Sequence, residues 1–375
     1  MKSTKNKLLI LSDWYLPAVK AGGPVRSVVA IVEILKPYFE ISVLTSDRDI
    51  GDVAPYKDVI TDSWLEKEGF RIKYLSPAKI KGEISNELKL DYSKIYLNSF
   101  FSFNFAIQVL WQLDKVRRKS VVLAPRGMLA EGALGVKPFK KSLFLIAAKL
   151  FRVYDFITWH ASTQLEKDEI LSIFPNAKIE TLRNLSLVKI QNSIERKPSN
   201  NIIKLVTVAR ISPVKNLLFL IDVFSKLRCH SQLDIIGPIE DERYYSECSE
   251  LVTSKALNVN FLGSIDNSKI AERFDKYDLF ILPTLGENFG HSILEALASC
   301  LPVLISDRTS WNQVSSVNAG KVISLKNPQD WVNWIEQFAK KSDIEVKEFR
   351  IGAQNLALEV TRQKDLSKEY LRMFS

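Results

Sequence analysis

Residues 287–307, ENFGHSILEALASCLPVLISD, contain two glutamates, Glu287 and Glu295, around a predicted helix start. If all the intervening residues were helical, the two positions would be separated by roughly 12 Å along the helix axis. The carboxylates of a glycosidase are about 5 to 9.5 Å apart, because one bond lies between them. The spacing therefore disfavours a hydrolytic pair. It suits two contacts to different parts of one extended ligand, or acidic side chains that simply complement the helix dipole.

The segment from Gly286 to Gly290 is predicted to be a loop that follows the strand-like run LFILP. The helix then begins near Gly290 or His291, which puts Glu295 about one turn inside it. A glycine at this turn allows backbone amides to approach an anion or sugar hydroxyls closely.

A second loop carries two basic residues. Arg210 stands at the end of the predicted strand 203–209, and Lys215 follows five positions later, just before a helix. Two cations close to helix-terminal N–H groups suit a diphosphate that is held and then released as a leaving group. A solvated turn with two basic residues is the alternative.

Short β-rich runs alternate with helix-length segments along the whole chain, as in α/β proteins whose parallel sheets are covered by helices. A length of 375 residues with 46% hydrophobic residues predicts two domains. We expect a domain over 1–190, a linker near 190–202, a domain over 191–355, and a helical segment, 356–375, that could pack back on the first domain. Parallel sheets bind ligands at the carboxyl ends of their strands, so a cleft between the domains is expected.

The composition excludes several classes of protein. The net charge is +9, and all of this excess lies in residues 1–190. It could face an acidic substrate, an anionic membrane or nucleic acid, but the charges are too dispersed to favour nucleic acid. The cysteines form no CxxC pair, which argues against a disulfide framework and fits a reducing cytoplasm. No metal is expected, because the histidines lack zinc-site spacing and the DxD triplet at 47–49 is common by chance.

The stretch 136–156, VKPFKKSLFLIAAKLFRVYDF, places basic residues beside aliphatic and aromatic ones. Its five basic residues are Lys137, Lys140, Lys141, Lys149 and Arg152. A helix of this kind could lie on an anionic membrane, or its apolar face could pack inside the protein. No apolar run approaches the roughly 20 residues that a membrane-spanning helix needs.

Four segments together resemble a known family. VARISPVKNL, LDIIGP, VNFLGSID and ILPTLGENFGHSILEALASCLPVLISD occur, in this order, over residues 208–307. They resemble the donor-binding half of the retaining glycosyltransferases of family 4. That family has the GT-B fold, in which two Rossmann-like domains face each other across a cleft. WYLPAVKAGGPVRSV and APRGMLAEGAL resemble its first domain more loosely, the latter in members that build bacterial surface polysaccharides.

The resemblance implies a role for each matched residue. Arg210 and Lys215 would neutralise the donor diphosphate, Glu295 would bind the ribose, and Glu287, a candidate catalytic residue, would hold hydroxyls of the transferred sugar. No metal would be needed, because the fixed cations stabilise the departing diphosphate. The remaining donor-binding candidates are Gly22 and Gly23 near the phosphate or sugar, Asn288, Phe289 and Gly290 near the sugar hydroxyls, and Gly237 and Ile265 near the base.

Two positions depart from the family pattern. Many members have glycine where Asn288 stands, and a larger residue there could change the sugar that fits. Many also have a histidine near the reacting centre in the first domain, where this sequence offers Arg126. Either Arg126 takes over that electrostatic role or His160, at the end of another predicted strand, approaches the site.

The resulting hypothesis is a cytoplasmic, metal-independent enzyme that needs no cofactor. It would transfer a sugar, with retention, from a nucleoside diphosphate sugar, UDP- or GDP-linked, to a glycan or polyprenyl-linked acceptor in surface polysaccharide synthesis. Peripheral contact with the inner face of the cell membrane is part of this hypothesis. The alternatives are a GT-B epimerase or phosphorylase and, from another class, a basic nucleic-acid-binding protein.

Overall fold

The structure is a computed structural model, and it describes residues 5–135, 138–192, 194, 202–265 and 267–374. The chain forms two compact units, Met1–Ser186 with Gln363–Ser375, and Leu187–Arg362. Most of the expected linker near 190–202 lies outside the described residues. The chain returns to the first unit at Gln363, which is later than the expected boundary after residue 355. The reason is that the helix Asp343–Val360 belongs to the second unit and continues through that boundary.

The first unit contains an eight-stranded sheet. Its strands are β1 (Asn6–Leu11), β2 (Phe39–Ser46), β3 (Trp64–Lys67), β4 (Phe70–Leu75), β5 (Lys94–Leu97), β6 (Val121–Leu123), β7 (Thr158–Ala161) and β8 (Lys178–Thr181). The order is β3-β4-β2-β1-β5-β6-β7-β8, and only β3 runs antiparallel to its neighbour. Leu8 to Leu11 of β1 are fully buried, as expected for a central strand that is covered on both faces.

Helices of the first unit follow most of these strands. They are α1 (Gly23–Leu35), α2 (Ile80–Glu87), α3 (Gln108–Gln112), α4 (Lys115–Arg118), α5 (Glu131–Leu134), α6 (Pro138–Leu150) and α7 (Gln164–Ile173). Helix α7 begins where the hydroxyl of Thr163 accepts a hydrogen bond from the backbone N–H of Glu166.

The second unit contains a six-stranded parallel sheet with the order β11-β10-β9-β12-β13-β14. Its strands are β9 (Ile203–Val208), β10 (Ser231–Ile236), β11 (Val259–Gly263), β12 (Leu279–Leu282), β13 (Val303–Ser306) and β14 (Gly320–Ile323). Its helices are α8 (Leu217–Phe224), α9 (Glu242–Ser254), α10 (Asn267–Arg273), α11 (His291–Ala298), α12 (Pro328–Ala339) and α13 (Asp343–Val360). The predicted α/β class with two parallel-sheet domains is confirmed.

The last helix, α14 (Gln363–Phe374), returns to the first unit. Its Tyr370 and Phe374 are fully buried there, and the Phe374 ring lies 5.5 Å from the ring of Tyr96 and 6.3 Å from that of Phe39. Aromatic contacts of this kind anchor a terminal helix that has no strand of its own.

Among the described residues, no helix combines the length and the apolar composition that crossing a bilayer would need.

Candidate functional site

The strand order of the second unit reverses between β9 and β12, which lie side by side and lead to opposite halves of the sheet. Loops that leave such neighbouring strands diverge and open a crevice at their carboxyl ends. The β9 loop carries Arg210 and Lys215, and the β12 loop carries Glu287. The two groups of candidate residues in this unit therefore lie on the same side of the sheet, at the carboxyl ends of β9 and β12.

The β9 and β12 loops are tied together by their backbones. The carbonyl oxygen of Val214 accepts hydrogen bonds from the backbone N–H of Leu285 at 2.8 Å and from the hydroxyl of Thr284 at 3.0 Å. Lys215 closes a short 3₁₀ turn, and its Nζ lies 2.6 Å from Oε2 of Glu287. Their side chains are only 12% and 20% exposed, so this ion pair is partly withdrawn from solvent.

The side chain of Arg210 has a different partner from that of Lys215. Its guanidinium pairs with the carboxylate of Glu240 in the loop after β10, and both side chains are about two-fifths exposed, at 40% and 39%. An exposed pair of this kind holds its partners weakly, so Arg210 can exchange Glu240 for an anionic ligand at little cost.

The turn into α11 has the geometry expected from the sequence. Gly290 precedes the helix with a φ of 75°, and α11 begins at His291. The backbone angle of Gly290 favours glycine, and a Cβ there would also crowd Cδ1 of Ile293 at 2.9 Å and Nε1 of Trp311 at 3.0 Å.

Neighbouring side chains fix the backbone of this turn. The hydroxyl of Ser310 donates to the carbonyl of Asn288 at 3.0 Å, and Nε1 of Trp311 donates to that of Phe289 at 2.6 Å. Phe289 is buried, whereas Asn288 is partly exposed beside Glu287. Glu295 follows one turn inside α11 and is partly exposed. The arrangement presents a carboxylate and a helix N-terminus at the same loop.

Two other candidates of the second unit have structural explanations. A Cβ on Gly237 would lie 1.9 Å from the backbone oxygen of Ala209, so the close approach of the two backbones requires glycine there. The side chain of Ile265 packs, partly buried, against the apolar core of the unit. Neither observation bears on a base-binding role.

Gly22 and Gly23 lie at the start of α1 in the first unit, where Gly22 is the N-cap. The strand order of this unit reverses between β1 and β5, and α1 follows β1. Asn98, just after β5, donates to the carbonyl of Pro24 at 3.1 Å and to Oγ of Ser12 at 3.2 Å. The two glycines are thus positioned at the switch point of the first sheet.

Arg126 is engaged inside the first unit. Its Nε donates to Oδ1 of Asn98 at 2.7 Å, one terminal nitrogen donates to the hydroxyl of Tyr96 at 2.7 Å, and the other donates to Oδ1 of Asn184. The guanidinium therefore joins the ends of β5, β6 and β8. This geometry makes Arg126 an organiser of the loops around it.

His160 requires a correction to the catalytic role considered for it. It is 1% exposed, its Nδ1 lies 2.8 Å from the hydroxyl of Tyr96, and its Nε2 lies 2.9 Å from the carbonyl of Leu182 and 3.2 Å from the hydroxyl of Tyr370. Burial, together with the nearby Arg126 charge, lowers the pKa of His160 to about 3. We therefore assign His160 a structural role as a neutral core histidine.

Asp13 is a candidate that sequence reasoning missed. It lies two residues after the end of β1, and its Oδ1 accepts a hydrogen bond from the hydroxyl of Ser102 at 2.6 Å. Burial raises the pKa of its carboxyl, although hydrogen bonds from Ser102 and Ser99 oppose the shift. The available signal was an acidic residue at the end of the first strand, in LILSDW.

The two aspartates of the DxD triplet are engaged by groups of the first unit. Asp47 pairs with Arg48 at 2.7 Å, and Oδ2 of Asp49 accepts hydrogen bonds from the backbone N–H groups of Val19 and Lys20 at 2.7 and 2.9 Å. Among the described residues, no group of three or more His, Cys, Asp or Glu side chains is arranged to hold a metal ion.

Parts of this chain are similar to known proteins. Residues 189–355 match the family described as Glycosyl transferases group 1. The O-antigen biosynthesis glycosyltransferase WbnH of Escherichia coli is 29% identical over 175 residues, which cover 44% of this chain and 46% of that protein. The chain thus spans about half the length of this curated relative.

Solved structures are similar over almost the whole chain. The structure of HepE from Anabaena in complex with UDP and glucose has a TM-score of 0.70 at 15% identity and covers 98% of this chain and 99% of its own. WaaG, a glycosyltransferase involved in lipopolysaccharide biosynthesis, has a TM-score of 0.65 at 14% identity and covers 98% of both chains. At these identities the likeness shows the fold. Residues 189–355 therefore form a glycosyltransferase group 1 domain, in a chain whose two Rossmann-like α/β units have the GT-B fold.

Proposed function

We propose that this protein is a glycosyltransferase that moves a sugar from a nucleoside diphosphate sugar to a glycan or polyprenyl-linked acceptor, with retention of the anomeric configuration. The observation that carries the proposal is the contact between Lys215 and Glu287 at the switch point of the second sheet. It combines a cation for a diphosphate with a carboxylate for sugar hydroxyls beside a helix N-terminus.

The donor would be held by groups that the structure brings to that edge. Lys215 and Arg210 neutralise the diphosphate, and they stabilise the charge that develops on it as the glycosidic bond breaks, without a metal. Glu287 accepts hydrogen bonds from hydroxyls of the transferred sugar, and Asn288 with the amides near Phe289 and Gly290 shapes the same pocket. Glu295 binds the ribose.

Two features of known proteins support the choice of substrates. HepE was solved with UDP and glucose, which favours a UDP-linked donor, with GDP as the second candidate. WbnH is named for O-antigen biosynthesis, which favours an acceptor that belongs to a bacterial surface polysaccharide. We propose that the protein meets such an acceptor in the cytoplasm, at the inner face of the cell membrane.

In the first unit, Arg126 is proposed as a positioning residue. Its three hydrogen bonds hold the loops after β5, β6 and β8, next to the start of α1 at Gly22 and Gly23. Through these loops Arg126 would set the backbone that approaches the donor sugar.

The test is a thermal-shift screen against UDP, GDP and ADP and their common sugars, followed by product analysis with the nucleotide that stabilises the fold. A retaining transferase releases nucleoside diphosphate only with an acceptor and yields a product of unchanged anomeric configuration. An epimerase converts the donor alone, and a phosphorylase needs inorganic phosphate. Absence of stabilisation by any of the nucleotides, together with salt-dependent binding of nucleic acid, would contradict the proposal.

A further inference from the structure

We propose that helix α6 (Pro138–Leu150) is a membrane-docking surface, and that its partner is an anionic lipid bilayer. This inference identifies the surface by which the protein would contact the membrane, and it rests on the peripheral location proposed above. It stands on the exposure and charge of the first unit, and its test requires no sugar transfer, so the two proposals can fail separately.

The outer face of α6 is apolar and exposed. Its four large side chains are Phe139, Leu143, Ile146 and Leu150, which are 81%, 60%, 63% and 74% exposed. At about 100° per residue these four positions fall within roughly 60° of one another, and they extend about 16 Å along the helix. A continuous apolar stripe of this kind differs from the single exposed apolar residues that are normal on protein surfaces.

The opposite face of α6 already has its packing partners. Phe144 contacts the rings of Phe100, Phe101 and Tyr154, with centroids 5.9, 5.7 and 6.5 Å away, and Ala148 is buried in the same core. The helix is therefore held to the first unit by one face. The exposed stripe makes no contribution to that core.

Lysines border the stripe on both sides. Lys140 follows Phe139 and Lys149 precedes Leu150, which puts them about 100° from the stripe in opposite directions. Both are exposed. Lys141 points inward to the carbonyl of Ala133 and the ring of Phe101, and Arg152 pairs with Asp155, so neither adds to the border. Lys137 lies outside the described residues.

This distribution matches a helix that lies in the plane of a bilayer surface. The apolar stripe enters the boundary between headgroups and acyl chains, and the flanking ammonium groups meet anionic headgroups. Charge complementarity therefore favours an anionic leaflet as the occupant.

The test is cosedimentation of the full chain with vesicles of phosphatidylcholine alone and of phosphatidylcholine mixed with phosphatidylglycerol. We expect binding to the mixed vesicles that weakens as salt rises. Leu143→Glu/Ile146→Glu should lower the partition coefficient by at least about tenfold, because two apolar side chains no longer enter the interface. Lys140→Gln/Lys149→Gln should lower it by about fivefold per lysine on the anionic vesicles only.

Matched variants in the second unit separate this effect from general changes. Ile344→Glu alters an equally exposed apolar residue, at 75%, and Lys321→Gln/Lys326→Gln removes the same charge from exposed positions. Neither control should change binding, and all variants should keep the wild-type melting temperature because the altered side chains are exposed. Wild-type protein that fails to bind either vesicle, or binding that Leu143→Glu/Ile146→Glu leaves intact, would overturn the proposal. So would a concentration-dependent dimer that this variant abolishes, with vesicle binding unchanged.

Discussion

The substitution Glu287→Gln should separate nucleotide binding from sugar transfer. In this structure Nζ of Lys215 and Oε2 of Glu287 lie 2.6 Å apart, and the pair is partly withdrawn from solvent. Glutamine keeps the shape of the side chain but removes its charge, so Lys215 remains as an uncompensated cation. A nucleoside diphosphate then binds a Lys215 ammonium group that no carboxylate neutralises, whereas the sugar hydroxyls lose a charged hydrogen-bond acceptor.

The size of both effects follows from the strength of charged hydrogen bonds. Such a bond contributes about 1.5 to 3 kcal/mol, and every 1.4 kcal/mol is tenfold in an equilibrium or rate constant. Glu287→Gln should therefore lower kcat/KM for transfer by about 10- to 100-fold, and should tighten the nucleoside diphosphate alone by up to about tenfold. Lys215→Met should lower kcat/KM for transfer and weaken the binding of the nucleoside diphosphate, each by about 10- to 100-fold, because the cation itself is lost.

Calorimetric titration with the most stabilising nucleoside diphosphate, together with a transfer assay, measures the two quantities. Asp222→Asn is the matched control, since it removes a carboxylate from an exposed pair with Lys226 at the same distance of 2.6 Å. That variant should change neither quantity. If Glu287→Gln weakened the nucleotide as much as Lys215→Met does, or left transfer at the wild-type rate, the assigned roles would be wrong.

Three further predictions concern the stability of the fold. Tyr370→Phe, which removes a hydroxyl bonded to His160 and to the carbonyl of Arg183, should cost about 1 kcal/mol in urea unfolding, whereas the half-exposed Tyr38→Phe should cost nothing measurable. The pKa of His160 is lowered to about 3, so the unfolded chain binds one more proton between about pH 6.5 and 3. The free energy of unfolding should therefore fall by roughly 1 kcal/mol for each unit by which the pH is lowered over this range, and His160→Gln should flatten that dependence. Gly237→Ala places a Cβ 1.9 Å from the oxygen of Ala209 and should cost roughly 3 kcal/mol or more, whereas Gly286→Ala, which has open space, should cost well under 1 kcal/mol.

The second unit could be predicted closely from the sequence because its informative features are local. The start of α11 at His291 follows from one glycine next to a helical pattern, and the positions of Arg210 and Lys215 follow from the end of one apolar strand. The pairing of Lys215 with Glu287 could not be predicted in the same way. The two residues belong to different loops, and only the adjacency of β9 and β12 brings them together.

Hydrogen-bonding partners in the first unit come from distant parts of the chain, which explains why these contacts could not be predicted from the sequence. Arg126 has the positive φ of 57° that few non-glycine residues adopt, and its partners are Tyr96, Asn98 and Asn184. The sequence shows an arginine next to a glycine, but no pattern shows that three other segments converge on it. His160 looked like a strand-end histidine for the same reason, since the hydroxyl of Tyr370 that covers it belongs to the last helix.

That last helix also bears on how the first unit is stabilised. Tyr370 contacts His160, His160 contacts Tyr96, and Tyr96 accepts a hydrogen bond from Arg126, so a continuous series of buried polar contacts joins α14 to the loop after β6. Each member of the series is buried or partly buried, where an unpaired polar group is costly. Displacing α14 would leave His160 without one partner and would expose Tyr96 and Phe374. The integrity of the loop that holds Arg126 therefore depends on the docking of a helix from the far end of the chain.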